Sequence, residues 1–223
     1  MPGANIIQLR QLLSEKFPGA RPRMGGPVRN CWPTGLPQID GPLDGGLPRG
    51  ALAEVIAENA GSGGALLMAA LIHQAARERQ IIAVVDGRDS LEVTQIGGDV
   101  SRLLWVRCRS ADEAMKAADL LLRDRNMSLV VLDLAANPAA QLRKIPATVW
   151  YRFQRLLEQT STVCAVLTPR AMVSPAKVRI TLRSRFSLAA LEAERDGLLR
   201  ELRVYVSAER RSGELFSALK QSA

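Results

Sequence analysis

An apolar run, Ala51-Leu52-Ala53-Glu54-Val55-Ile56-Ala57, is followed by Glu58-Asn59-Ala60-Gly61-Ser62-Gly63-Gly64-Ala65 and then by a helical pattern. A glycine-rich turn between a strand and a helix is the arrangement in which backbone N–H groups gather round a phosphate. The phosphate-binding pattern G-x-x-x-x-G-K-[ST] adds a lysine that neutralises charge and a hydroxyl that holds magnesium. Here Gly63 and Gly64 take those two places in one register, and Gly64 and Ala65 in the register shifted by one. Neither register supplies a lysine, a serine or a threonine there. Glu58 adds a negative charge beside any phosphate that tried to sit in the turn. Glu58, Gly61, Ser62, Gly63 and Gly64 therefore form a degenerate phosphate loop, from which ATP binding is not expected, and no cofactor is predicted.

Other chemistry is sparse. His73, the single histidine, falls in the helix after the loop with no catalytic partner visible in sequence. Cys31, Cys108 and Cys164 lie far apart and outside any C-x-x-C spacing, so neither a zinc site nor a disulfide framework is predicted. Thirty Lys and Arg against 22 Asp and Glu give a formal charge of +8 and a pI near 10.1. Such a field favours polyanions, either nucleic acid or an acidic protein surface. No segment reads as a secretion signal or a membrane span, which places the chain in the cytoplasm as an expectation.

The elements that must position these residues alternate. Strands are predicted at 51–57, 81–85, 103–106, 129–132 and 162–167, with helices at 64–79, 111–124 and 147–159, the pattern of a doubly wound, mostly parallel α/β sheet. A strand over 178–182, a helix over 188–202 and a strand over 204–207 follow. Around this core, 51–207, residues 1–17 read as an amphipathic helix built on Ile6, Leu9 and Leu13. Residues 18–50 read as a Pro/Gly-rich linker with lead-in turns and no helix, and 208–223 as a tail in which Leu215, Phe216 and Leu219 form one more helical turn or two. For the first helix two readings stand: packing on its own core, or docking on a neighbouring copy.

Thr34-Gly35-Leu36, Ile39-Asp40, Gly45-Gly46-Leu47-Pro48-Arg49-Gly50 and Glu54-Val55-Ile56 resemble, in order and spacing, the start of the RecA recombinase core. Val84-Val85-Asp86, Leu129-Val130-Val131-Leu132-Asp133 and Val163–Leu167 look like later RecA strands, so the likeness covers roughly 32 to 170. The resemblance implies a RecA-like fold in which Asp133 matches the Walker B aspartate. It also implies that Arg88 stands where RecA has its catalytic glutamate and Pro169 where it has a γ-phosphate-sensing glutamine. Loss of lysine, general base and sensor together implies a retained scaffold without ATPase activity. Without a phosphate loop to share magnesium, a strand-ending aspartate that caps the next turn is the plainer reading of Asp133, and no metal is predicted.

Among RecA-like families the pattern is similar to ImuA, a shortened RecA relative of bacterial mutagenesis cassettes. That resemblance implies a role in DNA damage-induced translesion synthesis. The partners it implies are a Y-family polymerase homologue (ImuB-like) and an error-prone C-family polymerase, with RecA itself as a further contact. Arg143, Lys144, Arg170, Lys177 and Arg179 fall where RecA presents its DNA-binding loops. Weak single-stranded DNA contact and a merely solvated charged face are equal readings of them. Two alternatives stand beside this function: a DNA-dependent ATPase with an unorthodox phosphate site, and a SulA-like cell-division inhibitor that binds FtsZ.

Overall fold

The structure is a computed structural model and describes residues 4–16, 30–209 and 215–217. Helix α1 (Ala4–Lys16) precedes a small antiparallel pair, β1 (Cys31–Trp32) and β2 (Leu47–Pro48), which encloses α2 (Pro37–Asp40). The main sheet then begins with β3 (Ala51–Ala57), followed by α3 (Gly64–Arg77), β4 (Ile82–Asp86), α4 (Val93–Ile96), β5 (Leu103–Arg107) and α5 (Ala111–Asp124). It continues through β6 (Leu129–Asp133), α6 (Ala139–Leu142), α7 (Ala147–Leu157), β7 (Val163–Thr168), β8 (Val178–Leu182), α8 (Arg195–Arg200), β9 (Val204–Glu209) and β10 (Leu215–Ser217). The spatial order is β10-β9-β8-β3-β7-β6-β4-β5. From β8 to β5 every pairing is parallel, and β9 and β10 add antiparallel strands at one margin. This is the mostly parallel α/β sheet that the alternating sequence predicts.

Both faces of the sheet are covered, which is why β3, β4 and β7 are buried along their whole length and are apolar but for Glu54, Asp86 and Thr168. On one face Ala53, Val55, Val84, Val131 and Ile180 meet Leu36, Ile39, Met68 and Leu71 from α2, α3 and the turn before α2. On the other, Leu52, Val85, Leu132 and Val166 meet Ala114, Leu121, Trp150 and Phe153 from α5 and α7. Helix α5 starts on a reciprocal cap: Ser110 Oγ accepts from Glu113 N–H, and the Glu113 carboxylate accepts from Arg109 N–H at 2.8 Å.

Three regions differ from the sequence reading. Residues 30–50 pack into the core instead of linking to it: Trp32, Ile39 and Leu47 are buried, and α2 is a short helix there. Asp40 holds the turn by accepting from Thr34 N–H, Thr34 Oγ1 and Gly35 N–H at 2.7–3.0 Å. Gly46 (φ +135°) lets the chain pass Trp32, whose carbonyl oxygen would lie 2.1 Å from any Cβ. Residues 18–29 lie outside the described residues.

The helix expected over 188–202 is a 3₁₀ turn (Leu188–Glu192) followed by the separate short α8, with Ala193 and Glu194 extended between them. The helical turn expected at Leu215 and Phe216 is strand β10, whose backbone finds partners along the open edge of β9. Leu219 lies outside the described residues.

Candidate functional site

In a parallel sheet, ligands bind beyond the carboxyl ends of the strands. The glycine-rich loop lies at that edge, after β3. Gly63 adopts φ +104° and caps α3, so the helix opens with Gly64 and Ala65. The helix thus begins with no lysine and no hydroxyl in its first two positions. Ser62 is buried, with its hydroxyl donating to Asn59 O at 2.6 Å, and Glu58 is exposed. Residues from the β8–β9 connection cover the loop: Phe186 N–H donates to Gly61 O at 3.2 Å, and Leu202 lies against Gly63.

Two and three strands away from β3, Asp133 and Asp86 are register partners at the ends of β6 and β4. Asp86 is enclosed and accepts from Arg88 N–H, Ser90 N–H, Leu91 N–H and Trp105 Nε1, so its carboxylate shapes the loop after β4. Asp133 accepts from Ala135 N–H at 3.0 Å, the role of a strand-ending residue that caps the next turn. Burial pushes its carboxyl from the ordinary 3.8 up to about 6; the Ala135 hydrogen bond opposes the shift and the charge of Asp86 adds to it. Arg88 is exposed and Pro169 half-buried at the same edge. Among the described residues no three His, Cys, Asp or Glu side chains are grouped to hold a metal ion.

The basic residues predicted as one set divide. Arg143, Lys144 and Arg170 are exposed at the carboxyl edge, where Arg109, Arg183 and Arg185 are exposed as well. All three of these additional arginines closely follow the ends of β5 or β8, a placement the predicted strands already contained. Lys177 belongs to the opposite end: its N–H donates to Leu52 O near the start of β3.

Arg179 is a partner of Glu54. Its Nε lies 2.7 Å from Glu54 Oε2, and the carboxylate also accepts from Met172 N–H, Val173 N–H and Thr168 Oγ1. The crossover 169–177 carries no helix, and Glu54 satisfies the backbone groups that lie on the sheet there. A glutamate inside an otherwise apolar strand was the available signal for this lock.

Elsewhere, α1 packs on α5 of its own chain: Leu13 is buried in the second core cluster and Arg10 Nε lies 2.8 Å from Asp124. Ile7 and Leu12 remain exposed. His73 Nε2 is 2.9 Å from Gly97 O, a contact that ties α3 to the turn after α4. Cys108 and Cys164 are buried and Cys31 half-buried, all as free thiols. No helix among the described residues is long and apolar enough to cross a membrane.

No protein-family profile matches the chain. Curated relatives do. Protein RecA of Leifsonia xyli subsp. xyli is 30% identical over 140 residues, which is 60% of this chain and 39% of that protein. The core is RecA-like. Protein RecA of Methylococcus capsulatus is 33% identical over 116 residues, 49% of this chain and 33% of the relative. For Synechococcus elongatus RecA the figures are 31% over 124 residues, 53% and 35%. The chain thus matches between 33% and 39% of the length of these RecA proteins.

Proposed function

We propose that the chain is a non-catalytic, RecA-like accessory protein of DNA damage-induced translesion synthesis. In this reading it works by binding a Y-family polymerase homologue and an error-prone C-family polymerase, with single-stranded DNA as a direct and weak ligand. The observation that carries the loss of catalysis is the opening of α3. In the register that takes Gly63 as the last loop glycine, Gly64 and Ala65 fall in the places of lysine and hydroxyl, and the exposed Glu58 opens the loop. Phosphoryl transfer is positioning and charge stabilisation, and removing one major electrostatic contact costs ~100-fold or more in rate. Arg88 in place of a general base and Pro169 in place of an amide sensor compound that loss. The resemblance to ImuA supports the choice of partners, and RecA is a further contact in the same reading.

The exposed Arg143, Lys144 and Arg170 support the DNA contact. The test pairs phosphate release in the presence of single-stranded DNA with titration of a labelled ATP analogue. Neither turnover nor saturable binding is expected, and DNA-stimulated turnover abolished by Asp133→Asn establishes the ATPase alternative instead. Co-purification from DNA-damaged cells with the polymerases supports the proposed role, and recovery of FtsZ in their place supports the SulA-like alternative.

A further inference from the structure

The segment between β8 and β9, residues 183–203, runs across the glycine-rich loop. A Cβ built on Gly63 would lie 2.2 Å from Leu202 Cδ1 and 3.7 Å from Phe186 Cε2, so an apolar side chain rests directly on the backbone where the loop turns into α3. Close by, the main chain of Phe186 runs along the loop: its N–H donates to Gly61 O at 3.2 Å, and its carbonyl oxygen is 3.2 Å from the Cβ position of Gly61. Leu202 is itself buried.

The segment is pinned along its length. Its ends are closed on each other by Arg183 N–H to Arg203 O at 2.9 Å and Arg203 N–H to Ser184 Oγ at 2.8 Å. In its middle, Gln38 Nε2 donates to Leu199 O at 2.6 Å, and Arg195 donates to the carbonyls of Gln95 and Ile96. One strap therefore touches the glycine loop, the end of α4 and the turn region at α2.

We infer that this strap is a built-in occupant of the degenerate phosphate loop: the side chains of Leu202 and Phe186, with the Phe186 backbone, hold the loop and the first turn of α3 in one fixed arrangement without nucleotide. The left-handed glycine at 63 serves close packing here. Any larger residue meets Leu202 and carries backbone strain at φ +104°. Two anchors outside the loop, Gln38 and the carbonyls at 95–96, make its order depend on distant parts of the fold. The inference rests on the reading of 58–64 as a degenerate phosphate loop and is separate from the polymerase and DNA reading.

Hydrogen–deuterium exchange on the full chain tests it. Amides over 61–67 are expected to be protected in the absence of nucleotide and unchanged by millimolar magnesium-ATP. Leu202→Ala and Phe186→Ala are expected to speed their exchange tenfold or more while α5 keeps its protection. Gln38→Ala, which removes the hydrogen bond to Leu199 O, is expected to give a smaller acceleration in the same amides. If Leu202→Ala also exposes α5, the Phe186→Ala and Gln38→Ala variants decide. Exchange over 61–67 that is already fast in the parent chain, that none of the variants alters, or that slows with magnesium-ATP overturns the inference.

Discussion

Arg179 Nε lies 2.7 Å from a carboxylate oxygen of Glu54, whose side chain is fully enclosed while that of Arg179 is 38% exposed. Glu54 thus joins β3, β8 and the helix-free crossover between β7 and β8. Removing one member of a buried pair leaves the other uncompensated, typically at 3–5 kcal/mol. Glu54→Ala also strands the N–H groups of Met172 and Val173, and a loss of about 3–5 kcal/mol is expected in urea unfolding. Arg179→Met should lose less, about 1–3 kcal/mol, because its guanidinium is partly solvated. Equal losses from the two variants contradict this asymmetry.

Single-stranded DNA binding should depend on Arg143, Lys144 and Arg170 and not on Lys177, which lies at the other end of β8. Each phosphate contact on a single strand contributes about 0.7 to the slope of log affinity against log salt. Replacing the three with Ala is expected to reduce that slope by about 2, and Lys177→Ala to leave it unchanged. Fluorescence anisotropy across a salt series reads both.

Asp133 has a carboxyl raised from 3.8 to about 6 in the folded chain. The native state therefore holds its proton to higher pH than the unfolded state does, so its contribution favours folding at low pH and is lost as pH rises from about 4 through 6. Asp133→Asn keeps an acceptor for Ala135 N–H and removes the charge. A gain of about 1–2 kcal/mol is expected at pH 7.5 and none at pH 4. Thermal melts of both proteins across that range measure it, and a gain of equal size at both pH values assigns the effect to something other than ionisation.

Arg10 pairs with Asp124, whose side chain is fully enclosed, and the neighbouring Leu13 is buried. Helix α1 therefore belongs to the folded core of its own chain, where deletion of residues 1–16 exposes apolar surface and leaves Asp124 without its cation. A lower melting temperature is expected for the deletion, and a smaller drop for Arg10→Ala that Asp124→Asn partly restores. A melting temperature unmoved by the deletion shows that α1 contributes little to the core.

How much was legible in the sequence differs from residue to residue. The strands from β3 to β7 were legible because a sheet covered on both faces demands apolar runs, and Ala51–Ala57 and Val163–Thr168 are such runs. The loss of lysine and hydroxyl after β3 was legible as chemistry that is absent from the chain in either register. That Gly63 turns left-handed and caps α3, by contrast, needed the structure.

Sequence by itself determined the α/β alternation, the excess positive charge and the absence of lysine, serine and threonine from positions 63–65, because each follows from residue type and local spacing. Only the tertiary structure decided that Arg179 faces Glu54 and not solvent, that Lys177 and Arg170 lie at opposite ends of the sheet, and that Leu202 rests on Gly63. Those relations join residues that are 125 and 139 positions apart along the chain in the first and last cases. No local periodicity carries them; they exist because the crossover after β7 and the strap after β8 fold back onto β3 and its loop, where buried polar groups must find partners and apolar ones must find cover.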